Sequence, residues 1–412
     1  MIHIAVLGYG TVGSGVVEVI NRNRDSINKK AGKEINIKYV LDLRDFPGDP
    51  VEKILTHDIE DILNDEEVRI VIEVMGGIEP AYTYVKRALL SGKSVVTSNK
   101  ELVAKHGTEL LKIARERDIN FLFEASVGGG IPLIRPLNQS LTADEIYEIT
   151  GILNGTTNYI LTKMTEEGKS FDEVLKRAQE KGYAERDPRA DVEGHDACRK
   201  IAILSSLAFG MEVNYEDIYT EGITKITEKD ILYAEKIKHS IKLLATSKKI
   251  DHRVFARVSP VLISNDHPLA MVKGVFNAVL VKGNVVGDVM FYGKGAGKFP
   301  TASAVVADVV DAVKHLNRNI VFSWSTEKMD LMELKDVPVR YFVRIKYEDF
   351  ENAKNEVEQV FGTKEIIVLE NLKDEFAFIS NEETEGILQE KIDILKKEKS
   401  IKGIENIIRV EY

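Results

Sequence analysis

The chain has 412 residues, 44% of them hydrophobic, which is enough for a sizeable core and for two or three domains. A formal charge of −10 with no basic stretch leaves no face for neutralising phosphates and excludes a general nucleic-acid binder. The single cysteine, Cys198, excludes an intramolecular disulfide framework and fits a reducing compartment.

The opening stretch Ile2-His3-Ile4-Ala5-Val6-Leu7 enters an apolar strand without a basic leader, and no apolar run approaches a bilayer span. The expected location is the cytoplasm, with no membrane partner. Up to about residue 140, short β-branched runs (2–8, 35–42, 68–75, 93–98 and 119–125) alternate with helical stretches such as Ala81–Ser91 and Glu101–Arg117. That alternation predicts an α/β domain over residues 1–140 with a doubly wound parallel sheet.

From about 141 to 295 the pattern changes to helices near 157–167, 171–181 and 194–209, followed by strand-like runs at 253–264, 275–282 and 285–292. A second, α+β domain is expected there. The segment Pro300–Leu316 is helical, with Thr301, Ala302, Ser303, Ala304 and Ala307 suited to close packing, so about 296–320 should complete the first domain. After Lys335 the order is strand 339–346, helix 351–361, strand 364–370, strand 375–380, helix 384–398 and strand 404–411. This βαββαβ order predicts a ferredoxin-like unit over 336–412.

Gly8, Gly10 and Gly13 stand in Gly-x-Gly-x-x-Gly spacing between an apolar strand and a helix. Such glycines permit a tight turn and let backbone amides at a helix N-terminus, here Gly10, Thr11, Val12 and Gly13, approach a pyrophosphate. The second strand ends with Asp42 and Arg44, one suited to a ribose hydroxyl and the other to a 2′-phosphate, so NAD and NADP both stay open. Glu73-Val74-Met75-Gly76-Gly77 and Asn99-Lys100 lie at strand C-terminal ends, where open α/β sheets bind ligands, which points Lys100 toward the cofactor.

Between a helix ending near Gly182 and another starting near Gly194 runs a loop rich in carboxylates. On the second helix Asp196 and Lys200 are four residues apart and share a face, which an ordinary helix salt bridge would also explain. Taken with Glu185 and Asp191 they supply acceptors for a substrate ammonium and a lysine for proton transfer.

The run Ala178-x3-Gly182-Tyr183-Ala184-x2-Asp187-Pro188-x2-Asp191-Val192-x-Gly194-x-Asp196-x3-Lys200 resembles the homoserine dehydrogenase signature, with every defining position filled. Residues 124–132, 154–159 and 295–302 fit the same family, so the resemblance spans about residues 1–320. It implies NAD(P)-dependent interconversion of aspartate 4-semialdehyde and homoserine in threonine, methionine and isoleucine biosynthesis. It also implies Lys200 as the acid/base, Lys100 assisting near the reacting oxygen and cofactor, Glu185, Asp191 and Asp196 around the substrate, and Gly182 and Gly297 approaching the cofactor.

The family's monovalent cation site, expected to take sodium, maps onto Glu124, Val127, Gly129 and Ile131; the residues by themselves would make Gly128–Gly130 only a flexible turn. Relatives preferring NADP often carry Arg directly before the Asp at the end of strand two, where this chain has Leu41-Asp42. The C-terminal unit resembles an ACT domain whose first strand-to-helix loop, 347–352, lacks the usual Gly. A threonine-sensing module and a dimerisation module both remain open, and a homodimer or higher homo-oligomer is the family expectation.

Two other readings fit these residues less well. Aspartate-semialdehyde dehydrogenase chemistry needs a thiolate, and Cys198 points away from the face of Asp196 and Lys200, as a packing residue would. A non-catalytic nucleotide sensor would need neither the lysine nor its carboxylates. His195 titrates in the right range but occupies a variable position of the signature, which makes it a bystander.

Overall fold

A computed structural model describes residues 1–250 and 253–411. Asp251, His252 and Tyr412, which fall in the predicted second and C-terminal domains, lie outside the described residues. Internal contacts divide the chain into two units, the first formed by Met1–Tyr147, Arg199–Tyr215 and Val281–Met329, the second by Glu148–Cys198, Glu216–Leu280 and the chain from Asp330 onward.

The first unit contains strands β1 (Ile2–Leu7), β2 (Ile35–Leu41), β3 (Leu55–Thr56), β4 (Val68–Glu73), β5 (Ser94–Thr97) and β6 (Phe121–Leu122) in the order β3-β2-β1-β4-β5-β6, every pair parallel. Their near-continuous apolar runs follow from burial on both faces: Ile4 to Leu7 and Ile70 to Ile72 have no exposure. The order reverses between β1 and β4, so the crevice that binds ligands in such sheets lies beyond the ends of these two strands, at Leu7 and Glu73. The helix Lys298–Lys314 buries Thr301, Ala302 and Ala304 and packs on the helix Thr11–Arg22, as its small residues predict.

In the second unit β7 (Ile146–Ile152), β8 (Tyr219–Thr220), β9 (His239–Ile250), β10 (Arg253–Ser264) and β11 (Phe276–Gly283) are followed by β12 (Gly287–Lys294) in the chain of the first. The C-terminal stretch adds β13 (Pro338–Tyr347), β14 (Ile366–Ile367), β15 (Glu375–Ile379), β16 (Glu383–Thr384) and β17 (Ile401–Glu411). The mixed sheet runs β11-β7-β9-β10-β17-β13-β15-β14. The last strand, β17, lies parallel to β10 with Val261 opposite Arg409, which makes the C-terminal stretch continuous with the preceding sheet.

The C-terminal order strand, helix Phe350–Phe361, strand, strand, helix Glu385–Leu395, strand follows the sequence pattern, with the two-residue β16 added before the second helix. Its second strand shrinks from the predicted 364–370 to Ile366–Ile367, because the following chain turns away at exposed polar residues. The helices close over Val343, Ile345, Phe376 and Phe378 through Val357, Phe361, Leu388 and Ile392. Beneath β13 a buried ionic group joins Arg344 to Asp230 at 2.9 Å and to Glu375 at 3.3 Å, with Asn406 donating to Asp230 at 2.8 Å.

Candidate active site

At the end of β1, Gly13 sits so close to the turn that a Cβ there would lie 1.9 Å from the Gly8 carbonyl oxygen; any side chain would open it. Gly10 precedes the helix Thr11–Arg22 with no side-chain cap, and nothing lies within 4 Å of where its Cβ would be. The first-turn amides of Thr11, Val12 and Gly13 thus have no side-chain cap and carry the positive end of the helix beside the open space at Gly10, a cradle that fits a pyrophosphate.

Asp42, at the end of β2, accepts from the Tyr9 amide at 2.8 Å and from Arg44 Nε at 2.9 Å and Nη2 at 3.0 Å. The Arg44 guanidinium holds its carboxyl well below the usual carboxylate range. Both sequence candidates for the adenosine ribose are thus brought together in one ion pair.

Glu73 is fully buried at the end of β4, where burial pushes its carboxyl up; it accepts from Thr97 Oγ1 at 2.5 Å and from the Met75 amide at 2.8 Å. Asn99 binds the Gly77 carbonyl at 2.6 Å and caps the helix Lys100–Glu116, which fixes half-buried Lys100 at that helix's first position.

Gly128–Gly130 is no flexible turn. A Cβ on Gly129 would lie 2.3 Å from the Gly295 carbonyl oxygen and one on Gly130 2.7 Å from Pro300 Cβ, so this stretch is wedged against the chain leading into the helix Lys298–Lys314. The Glu124 carboxylate accepts the amides of Leu133, Ile134 and Arg135 at 2.5, 2.9 and 2.8 Å. Its own amide donates to buried Asp308 at 2.8 Å, and Asp308 pairs with Arg135 at 2.5 Å. With the carboxylate occupied in this way, backbone carbonyls are the oxygens this segment has for a hard cation, which suits one of low charge.

In the second unit the helix Phe171–Glu180 ends at Lys181, and Gly182 follows with φ of 71°. The loop after it holds Glu185 exposed, with its carbonyl bound by Gln179 at 3.0 Å. A short helix, Arg189–Val192, which the sequence pattern did not predict, then carries Asp191, and the helix His195–Phe209 starts with Asp196 in its first turn. One side chain joins the two carboxylates: Asn154 Nδ2 donates to Asp191 at 2.7 Å and to Asp196 at 2.9 Å, while its Oδ1 caps the helix Gly155–Glu167.

Lys200, 8% exposed, lies one turn beyond Asp196 on the same helix, Cys198 is buried at 5%, and His195 is exposed. Gly297, with φ of 119°, precedes the helix Lys298–Lys314 in the first unit. Glu185 is not part of the Asn154 cluster. Asn154 itself was legible only as one residue of a matching stretch, since 37 and 42 positions separate it from the carboxylates it holds.

Residues 8–124 match the family profile for the homoserine dehydrogenase NAD-binding domain and residues 132–310 that for homoserine dehydrogenase. A curated homoserine dehydrogenase of Synechocystis sp. is 39% identical over 99% of this chain and 99% of its own. The structure of a homoserine dehydrogenase from Thiobacillus denitrificans superimposes with a TM-score of 0.92 at 37% identity, over 100% of this chain and 98% of that one. A hyperthermophilic archaeal homoserine dehydrogenase mutant, solved in complex with NADPH, superimposes with a TM-score of 0.64 at 30% identity, over 76% of this chain and 97% of that one. A glycine cradle at the switch point of a parallel sheet, a lysine one turn from a buried aspartate, and likeness over the whole length lead to one conclusion: the chain belongs to the homoserine dehydrogenase family, NAD(P)-dependent oxidoreductases that interconvert L-aspartate 4-semialdehyde and L-homoserine.

Proposed function

We propose that Lys200 is the acid/base of this reaction and that Asp191 and Asp196, held by Asn154, bind the substrate's polar end. The observation that carries this reading is the Asn154 bridge, which fixes two carboxylates within hydrogen-bond reach of one amide and leaves Asp196 one turn from Lys200. Bound at Gly10–Gly13, the nicotinamide dinucleotide supplies or accepts the hydride. On reduction Lys200 gives a proton to the forming alkoxide, and on oxidation it takes the hydroxyl proton. Glu185 binds the substrate amino group, Lys100 steadies the reacting oxygen and the cofactor, and Gly182 and Gly297 leave room for the cofactor.

The backbone carbonyls of Glu124, Val127, Gly129 and Ile131 would hold a sodium ion, which would supply a fixed positive charge to this segment. Asp42 takes the ribose hydroxyls of NAD, and Arg44, released from Asp42, takes the 2′-phosphate of NADP, so both dinucleotides serve. The C-terminal βαββαβ stretch is an ACT-type regulatory module open to threonine, and the chain works as a homodimer in the cytoplasm. Exposed Val285, Val286, Met290 and Tyr292, on β12 and its approach, supply an apolar surface for that pairing.

The deciding experiment measures initial rates of homoserine oxidation with NAD and with NADP, each with and without threonine and with sodium replaced by a bulky organic cation. Turnover with either dinucleotide, lowered on removing sodium, is the expected result. A folded sample inactive with both would overturn this reading of the site, and unimpaired turnover by Lys200→Ala would overturn the role given to Lys200.

A further inference from the structure

The strand ends that border the crevice of the first unit stand in one row: Leu41 lies opposite Leu7, Leu7 opposite Glu73 and Glu73 opposite Thr97. The row is apolar on one side of the switch point and polar on the other. Glu73 has no exposure and no ion pair among the described residues, so a carboxyl group is held out of water where a leucine would pack. That choice costs stability, and a chain that breaks its own local pattern in this way does so at positions that serve function.

The carboxyl group closes a ring of hydrogen bonds between two strand-end loops. One oxygen accepts the amides of Met75 at 2.8 Å and Gly76 at 3.3 Å, and the other accepts the Thr97 hydroxyl at 2.5 Å. The Thr97 oxygen accepts the Asn99 amide at 2.9 Å, and Asn99 Nδ2 donates to the Gly77 carbonyl at 2.6 Å, from which the backbone returns to Gly76. On one side of the ring the turn after β4 packs on the glycine cradle, since a Cβ on Gly8 would lie 3.1 Å from Met75 Cγ. On the other side Asn99 Oδ1 accepts the Leu102 amide at 3.1 Å and so sets the first turn of the helix that Lys100 begins.

The direction of each bond matters. Thr97 has a single proton, and giving it to Glu73 leaves the hydroxyl oxygen free to accept from Asn99. A neutral amide in place of the carboxylate keeps a carbonyl oxygen for Met75 and Gly76 but turns a donor toward Thr97, which then faces two donors and has no acceptor on the ring for its own proton. The ring opens at Thr97 and Asn99 while the turn 75–77 keeps its partner. A side chain at the head of the next helix moves with Asn99, and a misplacement of about 1 Å near the chemistry can cost about a hundredfold in rate.

We propose that Glu73 is a positioning residue of this enzyme: through Thr97 and Asn99 its carboxylate fixes where the helix Lys100–Glu116 starts, and with it the place of Lys100 beside the cofactor crevice. This rests on the role given to Lys100 under the proposed function. Glu73 touches neither substrate nor dinucleotide, and its effect on turnover passes through the ring.

The test compares kcat for homoserine oxidation with the dinucleotide Kd, read by quenching of protein fluorescence, in variants of the full chain shown to be folded by circular dichroism. Glu73→Gln should lower kcat about tenfold or more and leave the Kd within about threefold, because the turn 75–77 keeps its acceptor. Thr97→Val, which opens the ring from the other side should Glu73→Gln not fold, should lower kcat by at least as much, whereas Thr97→Ser, which keeps the hydroxyl, should stay within about twofold of the parent. Adding Glu73→Gln or Thr97→Val to Lys100→Met should cost less than about twofold further, since each acts through the lysine already removed. An unimpaired kcat in Glu73→Gln, a Thr97→Ser as slow as Thr97→Val, a loss seen only in the dinucleotide Kd, or the same loss with and without Lys100 would each overturn the proposal. Parental turnover by Lys100→Met alone would instead overturn the role given to Lys100.

Discussion

Asn154 holds Asp196 at 2.9 Å through its amide nitrogen while its amide oxygen caps the helix Gly155–Glu167, so one side chain serves the fold with one atom and the site with the other. The two tasks separate by substitution. Asn154→Asp keeps a capping oxygen but replaces the donor with a third carboxylate beside Asp191 and Asp196. Melting should fall by only a few degrees, whereas homoserine kcat/KM should drop about a hundredfold, which steady-state rates and calorimetric melting on one sample would check.

Lys200→Ala removes the group assigned to proton transfer without touching the glycine cradle at Gly10–Gly13. Turnover should fall at least a thousandfold while the Kd for the dinucleotide, read by quenching of protein fluorescence, stays within about twofold. An unimpaired kcat would transfer the acid/base role to another group.

Arg44→Ala frees the Asp42 carboxylate from the guanidinium that holds its pKa down and removes the candidate 2′-phosphate partner. The ratio of kcat/KM with NADP to that with NAD should fall about tenfold or more, mostly through the NADP KM. An unchanged ratio would place the recognition of that phosphate elsewhere.

What was legible follows from how local each signal is. The parallel sheet announces itself through apolar runs, and the glycine spacing places the cradle on β1. The lysine and aspartate on the helix His195–Phe209 were readable because 3.6 residues per turn set them together without tertiary information. β9 was not, because Lys242, Thr246 and Ser247, polar yet buried in the folded chain, interrupt its apolar pattern. The helix Glu228–Lys236 carries a local start signal, the Thr227–Asp230 capping box. The bridging role of Asn154, the commitment of Glu124 to three amides, and the packing that makes 128–130 rigid are contacts between distant positions, and no spacing rule along a single chain encodes them.

Gly222→Ala tests the strip that packs against the carboxylate loop. The added methyl cannot share space with the Val192 carbonyl, so either the loop shifts or the segment 219–223 does. A loss of about 1–3 kcal/mol in stability is expected, with a homoserine KM raised several-fold and a dinucleotide KM nearly unchanged. Urea unfolding and initial rates with each substrate varied would separate these effects, and a KM rise for the dinucleotide alone would contradict the packing argument.

Lys242 gives a pH signature of its own. It is 4% exposed on β9, donates to the Val272 carbonyl at 2.6 Å, and burial draws its ammonium down from 10.5 to about 8. Below about pH 8 both native and unfolded chains carry the proton, so the native state bears the cost of a buried charge. Between about 8 and 10.5 the native chain has shed a proton that the unfolded chain still holds, so this residue's contribution to stability rises with pH across that window, by on the order of 3 kcal/mol in total. Lys242→Met, of similar length and without the charge, should flatten that part of the profile. The difference in unfolding free energy between variant and parent should favour the variant most at pH 7 and shrink steadily toward pH 10. A difference that does not vary with pH would mean that the Lys242 ammonium stays protonated throughout, held by the carbonyl it binds.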